Sequence, residues 1–221
     1  MKILRKYAST DNFNSFSSNF RKRRFLLFLD FLKNINVENP KIIDIGGTCN
    51  YWDLMNKHHQ KEIKPVVVNI SEEQLKNENC FGIRGDGKSL SFIKDKSCDV
   101  VYSNSMIEHL SSLDAQIEMV KNIQRVATFC FVQTPAFISP LEPHFLFPFF
   151  HWLPRKVRIK LVSNFSLGWF EKCQNQLEAE KLIDSIRIMK KKELKLIFEN
   201  AKIITERYFF IPKSYLITNL I

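Results

Sequence analysis

From residue 41 onward, short apolar runs alternate with stretches of helical periodicity, and the apolar runs lead into polar or glycine residues. Lys41-Ile42-Ile43-Asp44-Ile45-Gly46-Gly47-Thr48 reads as a buried strand that carries an acidic residue and enters a glycine turn. Pro65-Val66-Val67-Val68-Asn69-Ile70 is a β-branched run ending in a polar residue. Gly82-Ile83-Arg84-Gly85-Asp86-Gly87 sets an aspartate between two glycines, past a short extended stretch near 81–84. Residues 97–105 hold a fourth strand, 99–103, that enters a polar turn, Met106-Ile107-Glu108-His109-Leu110, and then a helix. The run 128–133 is apolar and β-rich, as a central parallel strand should be, and Pro135 is expected to stop it. Periodicity predicts helices over 20–34, 51–60, 113–126 and 187–200, with a helix or turn at 72–77. Two final strands are predicted near 202–208 and 215–218. Strand–helix alternation of this kind makes an α/β domain. Its ligands belong at the carboxyl ends of the strands, where these polar residues lie.

Two segments stand apart from the alternation. Residues 1–19 are polar and read as a mobile arm, with Tyr7, Phe13 and Phe16 as candidate lid contacts. We therefore divide the chain into an arm and helix, 1–34, and a single domain, 35–221. Inside that domain an insert of about 134–175 is rich in proline and aromatic residues, including Pro140, Pro143, Phe145, Phe147 and Trp152. Such an insert at a sheet's ligand edge reads as a lid or substrate pocket, and a local cap packed on its own aromatics is the alternative.

The four segments that start at Lys41 and end at Leu110 resemble class I S-adenosylmethionine-dependent methyltransferases. The likeness is to small bacterial members with an I-E-H-L segment after the fourth strand, and it extends over roughly 41–217. It implies a Rossmann-like, seven-stranded, mostly parallel sheet of order 3-2-1-4-5-7-6, with helices on both faces and an aromatic lid after strand 5. It also implies S-adenosyl-L-methionine as cofactor and S-adenosyl-L-homocysteine as product. Asp44 matches the acidic residue that helps hold the cofactor's amino group, and Gly46 and Gly47 match the turn under its methionine portion. Asn69 stands where a carboxylate usually binds the ribose, Asp86 matches the adenine contact, and Ser103 and Asn104 match the strand end beside the sulfonium. Their neighbours Thr48, Ile70 and Gly87 complete the implied cofactor-binding set. The chain departs from the family's pattern at Thr48 and Asn50, where glycines are usual, and at Asn69, which cannot accept from two hydroxyls as a carboxylate can. Tyr51 and Trp52 are placed to assist by packing on the cofactor.

The reaction so implied is displacement at the activated methyl, with the protein supplying position and removing a proton from the acceptor. Two histidines qualify as the base: His109, at the start of the helix after the fourth strand, and His144, beside Glu142 in the insert. His58 and His59 are adjacent without companion ligands, so no metal site is expected. No G-x-S-x-G or phosphate-binding glycine loop is present, which leaves hydrolase and nucleotide-triphosphatase chemistry without residues.

The net charge of +10 adds a hint about the acceptor. Basic residues cluster at 21–24, 155–160 and 190–192. Solvated helix faces account for such blocks, and a phosphate-bearing substrate accounts for one equally well. Basic residues at the amino end of helix 20–34 oppose its dipole, which favours a binding role there. Arg23, Glu142 and Trp152 are accordingly the candidate substrate contacts. The acceptor expected is a small molecule, nucleotide-linked or phosphorylated, O-methylated during surface-polysaccharide (capsule) synthesis. The alternatives are a lipid or quinone methyltransferase in peripheral contact with a membrane, and a non-catalytic cofactor-fold binding protein. A nucleic-acid partner rests on charge alone and ranks last. Five scattered cysteines without a C-x-x-C pair are expected to be reduced thiols of a cytoplasmic protein, and no apolar run is long enough to span a bilayer. No motif addresses the oligomeric state.

Overall fold

A computed structural model describes residues 16–77 and 80–219. Residues 1–15 of the arm, and the contacts expected of Tyr7, Phe13 and the Phe16 side chain, lie outside the described residues, while 16–19, expected in the arm, already belong to a helix. The first described element is helix α1, Phe16–Asn34. Alternating strands and helices follow: β1 Ile42–Ile45, α2 Cys49–His59, β2 Val66–Asn69, β3 Phe81–Arg84, β4 Cys98–Asn104, α3 Leu113–Val126 and β5 Ala127–Pro135. The insert carries a two-stranded ribbon (β6 Leu141–Glu142, β7 Phe147–Pro148) and helices α4 Arg155–Asn164 and α5 Gln176–Asp184, the last of which lies beyond the expected end near 175. Helix α6, Lys191–Ile197, leads into the hairpin β8 Lys202–Tyr208 and β9 Ile211–Thr218. The main sheet runs β3-β2-β1-β4-β5-β9-β8. This is the expected order once the two ribbon strands are set aside. Strands β1 to β5 pair in parallel, and β9 joins β5 and β8 antiparallel.

The period of two along each strand divides the core between the faces of the sheet. Ile43, Ile45, Val68, Val101, Val132 and Ile217 face α3 and α6, where Met119, Val120, Ile123 and Leu194 are buried. Ile42, Val67, Val100, Tyr102, Phe131 and Leu216 face α1 and α2, where Phe25, Phe28, Phe31, Trp52 and Met55 are buried. All four β1 residues are buried, so Asp44 is carried into the interior by the strand that holds it.

Local chemistry explains where the elements begin. Thr48, a departure from the family's glycine pattern, is the N-cap of α2: its hydroxyl accepts the Tyr51 N–H at 3.2 Å. Ser112 caps α3 in the same way, through the Ala115 N–H. Three expectations need correction. The helix predicted over 187–200 begins only at Lys191, because Arg187 bonds elsewhere: its N–H to the Glu108 carbonyl at 2.7 Å, its carbonyl to the Gln116 amide at 2.9 Å. Strand β5, predicted over 128–133, runs from Ala127 and ends on Pro135, opposite Ser214 of β9. Cys49 and Cys80 are not reduced thiols: the first residue of α2 and the residue before β3 are joined by a disulfide, their Cα atoms 5.5 Å apart. Cys98, Cys130 and Cys173 are free.

The insert has a core of its own, with Phe145, Phe150, Val162, Leu167 and Ile183 buried together. Phe145 and Phe150 stack at 4.1 Å. Phe150 is 1% exposed, so Phe150→Ala should cost the insert about 3–5 kcal/mol. Urea unfolding followed by tryptophan fluorescence checks this, since Trp152 and Trp169 both lie in the insert, and an unchanged midpoint would refute it.

Candidate active site

The carboxyl ends of β1, β2 and β4 build the first part of the site. Asp44 is completely buried; its Oδ2 accepts the Trp52 indole N–H at 2.7 Å, and its Oδ1 has no partner. Burial pushes its carboxyl up to about 7, and the Trp52 hydrogen bond offsets part of that. The glycine turn wraps this carboxylate closely: a Cβ on Gly47 would lie 1.7 Å from Oδ2. Gly46 adopts a φ of +77° with the Met106 side chain against it. A buried carboxylate oxygen lacking a donor, beneath a turn that admits only glycine, fits a ligand that brings a donor or a cationic amine.

The remaining implied contacts divide into available and committed groups. Asp86 is exposed, and its Oδ1 accepts the Lys88 N–H. Gly87 is buried against Ile45 and Met106. Ile70 is 70% exposed at the end of β2. Asn69 is spent on the fold: its Nδ2 donates to the Gly47 carbonyl at 2.7 Å, and its Oδ1 accepts the Ser71 N–H at 2.9 Å. The amide thus braces the glycine turn where a ribose-binding carboxylate was expected. Ser103 is buried with its hydroxyl on the Ile45 carbonyl, tying β4 to β1. Trp52 belongs to the core under α1, 2% exposed, with Phe25 and Phe28 edge-on to it.

Arg24 was the residue missed in the first basic block. Arg23, the expected substrate contact, is exposed on the far side of α1. Arg24 is 4% exposed and donates to Asn104 Oδ1 at 2.6 Å and to Glu206 Oε2 at 2.7 Å, while its Nε has no partner. Ser214 also donates to Glu206. Burial opposes the Glu206 charge, but Arg24 prevails and holds its carboxyl below the usual range. The signal was in the spacing: Phe20, Arg24, Phe28, Phe31 and Ile35 form one buried stripe at helical period.

The second part of the site forms where β4 and β5 end. The turn Ile107–His109 carries Glu108 and His109, and the insert brings His144 back over it. The two imidazoles meet edge to face at 4.9 Å. Glu108 is fully buried; its Oε2 accepts the Thr134 hydroxyl at 3.1 Å, and its Oε1 has no partner. Glu142 is 1% exposed and fixes His144 from behind. It lies 2.6 Å from Nδ1 and accepts the N–H groups of His144 and Phe145. Gly168, at φ +54°, braces this loop, since a Cβ there would lie 2.2 Å from the His144 carbonyl. Burial pushes the Glu108 carboxyl up to about 6. Partial burial and then His144 lower His109 to about 4, which keeps it neutral. His144 is raised, because the hydrogen bond and charge of Glu142 outweigh its burial. The sequence reading sought metal ligands only at His58 and His59, and gave Glu108 no role.

Behind Glu142 the insert and the segment 183–193 together line a cavity of about 290 Å³. Phe137, Phe145, Phe150 and Ile183 supply its apolar wall, and Arg158, Arg187 and Lys190 its basic one. Arg187 is committed to Gln116 and Glu193, whereas the Arg158 Nε has no partner. His151 lines the cavity; Trp152, expected to bind substrate, is 48% exposed outside it with its indole on the Phe137 carbonyl.

Residues 44–128 match the family model described as a methyltransferase domain. No curated protein matches the sequence. Among solved structures, the PH0226 protein of Pyrococcus horikoshii OT3 aligns with a TM-score of 0.57 at 16% identity, over 99% of this chain and 97% of its own. A SAM-dependent methyltransferase of Archaeoglobus fulgidus aligns with a TM-score of 0.54 at 14% identity, over 92% and 99%. The plantazolicin methyltransferase BamL, solved with a triazolic desmethylPZN analog and SAH, gives 0.54 at 11% identity, over 98% and 91%. At such identities the structural likeness is one of fold. Residues 44–128 thus match a methyltransferase domain, in a chain with the fold of the class I S-adenosylmethionine-dependent methyltransferases.

Proposed function

We propose that this protein transfers a methyl group from S-adenosylmethionine to a hydroxyl of a small acceptor that carries a sugar and a phosphate. The cofactor supplies an activated methyl; the chain supplies the seat and the handling of the acceptor. Asp44 receives the cofactor's amino group, the Gly46–Gly47 turn lets it approach, and Asp86 takes the adenine. The Glu108–His109–His144 centre receives the acceptor hydroxyl and its proton. The observation that carries the acceptor class is the cavity behind Glu142, whose Arg158 guanidinium has a buried, unpaired Nε. Its size is at the small end of ligand pockets, and its aromatic wall with basic groups fits a sugar ring joined to phosphate. Nucleotide-linked or phosphorylated glycans of surface-polysaccharide (capsule) synthesis, made in the cytoplasm, are acceptors of this chemistry.

Labelled methyl transfer from S-adenosylmethionine to such glycans tests the proposal. Arg158→Ala should raise the acceptor KM by about 10–100-fold, as loss of a charge-assisted contact does, with little change in kcat. Equal KM values would remove the phosphate from the proposal. Absence of S-adenosylhomocysteine binding would favour the non-catalytic reading.

A second reading has an observation of its own. Phe149, Trp152, Phe165 and Trp169 of the insert are 43–59% exposed, beside the basic Arg155, Lys156 and Lys160. Such a surface suits an anionic membrane and a lipid or quinone acceptor. No helix among the described residues is long and apolar enough to cross a membrane. Flotation with anionic liposomes separates the two readings.

A further inference from the structure

We propose that Glu108, His109 and His144 bind a divalent transition-metal ion. Each offers one ligand atom, and these atoms lie within 4.8 Å of one another. Ligands about 2.0–2.2 Å from a common ion stand roughly 3–4 Å apart. An ion would have to draw the three side chains together by that difference.

Three further observations distinguish this centre from a packed cluster of polar side chains. The first is Glu108 Oε1, a carboxylate oxygen in a completely buried side chain with no hydrogen-bond partner. The second is the position of Glu142 behind His144. By engaging Nδ1 it fixes the ring and leaves Nε2 as the nitrogen for a further ligand, which is how carboxylates commonly orient metal-binding histidines. The third is the charge. Glu108 and Glu142 are both buried, and among the described residues neither forms an ion pair with lysine or arginine. Arg187, whose backbone touches Glu108, has its guanidinium on Gln116 and Glu193. A divalent ion would balance both carboxylates and give Glu108 Oε1 its partner. Two imidazoles and one carboxylate suit first-row ions such as Mn, Fe, Co or Zn, with open positions for oxygen donors. What the ion does rests on the methyltransferase reading: it would seat the acceptor oxygen at the ends of β4 and β5 and favour its ionised form, so that the three side chains act on the acceptor proton through the ion and not by taking it directly.

The test is titration of chelator-treated protein with Co²⁺, read by visible absorption, with S-adenosylhomocysteine binding measured by calorimetry on the same samples. One Co²⁺ per chain is expected. Glu108→Gln and His144→Gln should each weaken it by 100-fold or more, and Glu142→Gln, through the orienting contact alone, by about 10–100-fold. The double replacement His58→Gln with His59→Gln should leave it unchanged. Retained S-adenosylhomocysteine binding certifies that the variants are folded. Absence of Co²⁺ uptake, uptake indifferent to Glu108 and His144, or uptake lost with His58 and His59 would overturn the proposal. S-adenosylhomocysteine bound without Co²⁺ sinks the ion site alone. Co²⁺ bound without S-adenosylhomocysteine keeps the ion site and sinks the methyl-transfer reading.

Discussion

Replacing Arg24 by methionine should cost about 3–5 kcal/mol of stability, because the change removes one partner of a buried ion pair and leaves the other charge behind. Arg24 and Glu206 are 4% and 7% exposed, so water cannot take over for the guanidinium. Methionine keeps the apolar part of the side chain, so the loss reports the charge and its hydrogen bonds rather than a cavity. For a chain of this length the melting temperature should fall by roughly 6–20 °C. The sign with pH follows from Glu206, whose folded-state carboxyl lies below its ordinary value. Such a group contributes stability above the unfolded carboxylate's pKa, and the contribution disappears as pH falls through the depressed folded value. The gap between the wild type and the variant should therefore narrow in acid.

Adding Glu206→Gln should restore part of the loss, because the orphaned charge is then gone. A double variant as unstable as the sum of the two singles would show that the pair is not coupled. The same ion pair positions the end of β4, since Arg24 also donates to Asn104. A binding measurement on Arg24→Met is thus informative only at a temperature where the variant is folded.

The centre of the sheet was legible because β1, β4 and β5 are buried on both faces and punctuated by glycine and polar residues. Ile42–Ile45 and Cys98–Asn104 are set by local pattern alone, and the extent of α3 follows from Ser112 as cap and its run of buried positions. What the sequence did not disclose depends on which side of a helix or loop a side chain takes. Arg23 and Arg24 are neighbours in one charged run, yet the first is exposed and the second buried. Only the phenylalanine stripe at helical period separates them. Trp152 misses the cavity for a similar reason: the turn Phe150–Trp152 buries Phe150 and brings His151 to the cavity, leaving the tryptophan outside. Asn69 looked like a weakened ribose ligand, but its two amide functions are those needed to bridge the Gly47 carbonyl and the Ser71 N–H. Glu108 has no periodic signature at all. Its burial arises because the insert, distant in sequence, folds back over the turn that holds it.

S-adenosylhomocysteine affinity should increase with pH up to about 7 and level off above it, and Asp44 is the reason. Burial raises its carboxyl to about 7, so in neutral and mildly acidic solution the empty site holds a proton there. The cofactor's amino group binds the ionised form, so each pH unit below that value should weaken binding by up to tenfold. Stability without ligand should move the opposite way. A carboxyl whose folded-state pKa is raised contributes stability fully present below its unfolded value near 3.8 and lost as pH rises through about 7. Opposite slopes of affinity and of ligand-free stability over this window are a signature that a purely structural aspartate would not give. Asp44→Asn should abolish both slopes and weaken binding by about 10–100-fold, the range for a hydrogen bond to a charged group. Calorimetric titrations between pH 5 and pH 8, on the order of one unit apart, suffice to resolve a tenfold step. Trp52→Phe sharpens the assignment. It removes the indole N–H that steadies the carboxylate at 2.7 Å, so the bend in the affinity profile should move to higher pH with its slope unchanged. A bend that stays in place in Trp52→Phe, or persists in Asp44→Asn, would assign the titration to another group and remove Asp44 from the cofactor's amino end.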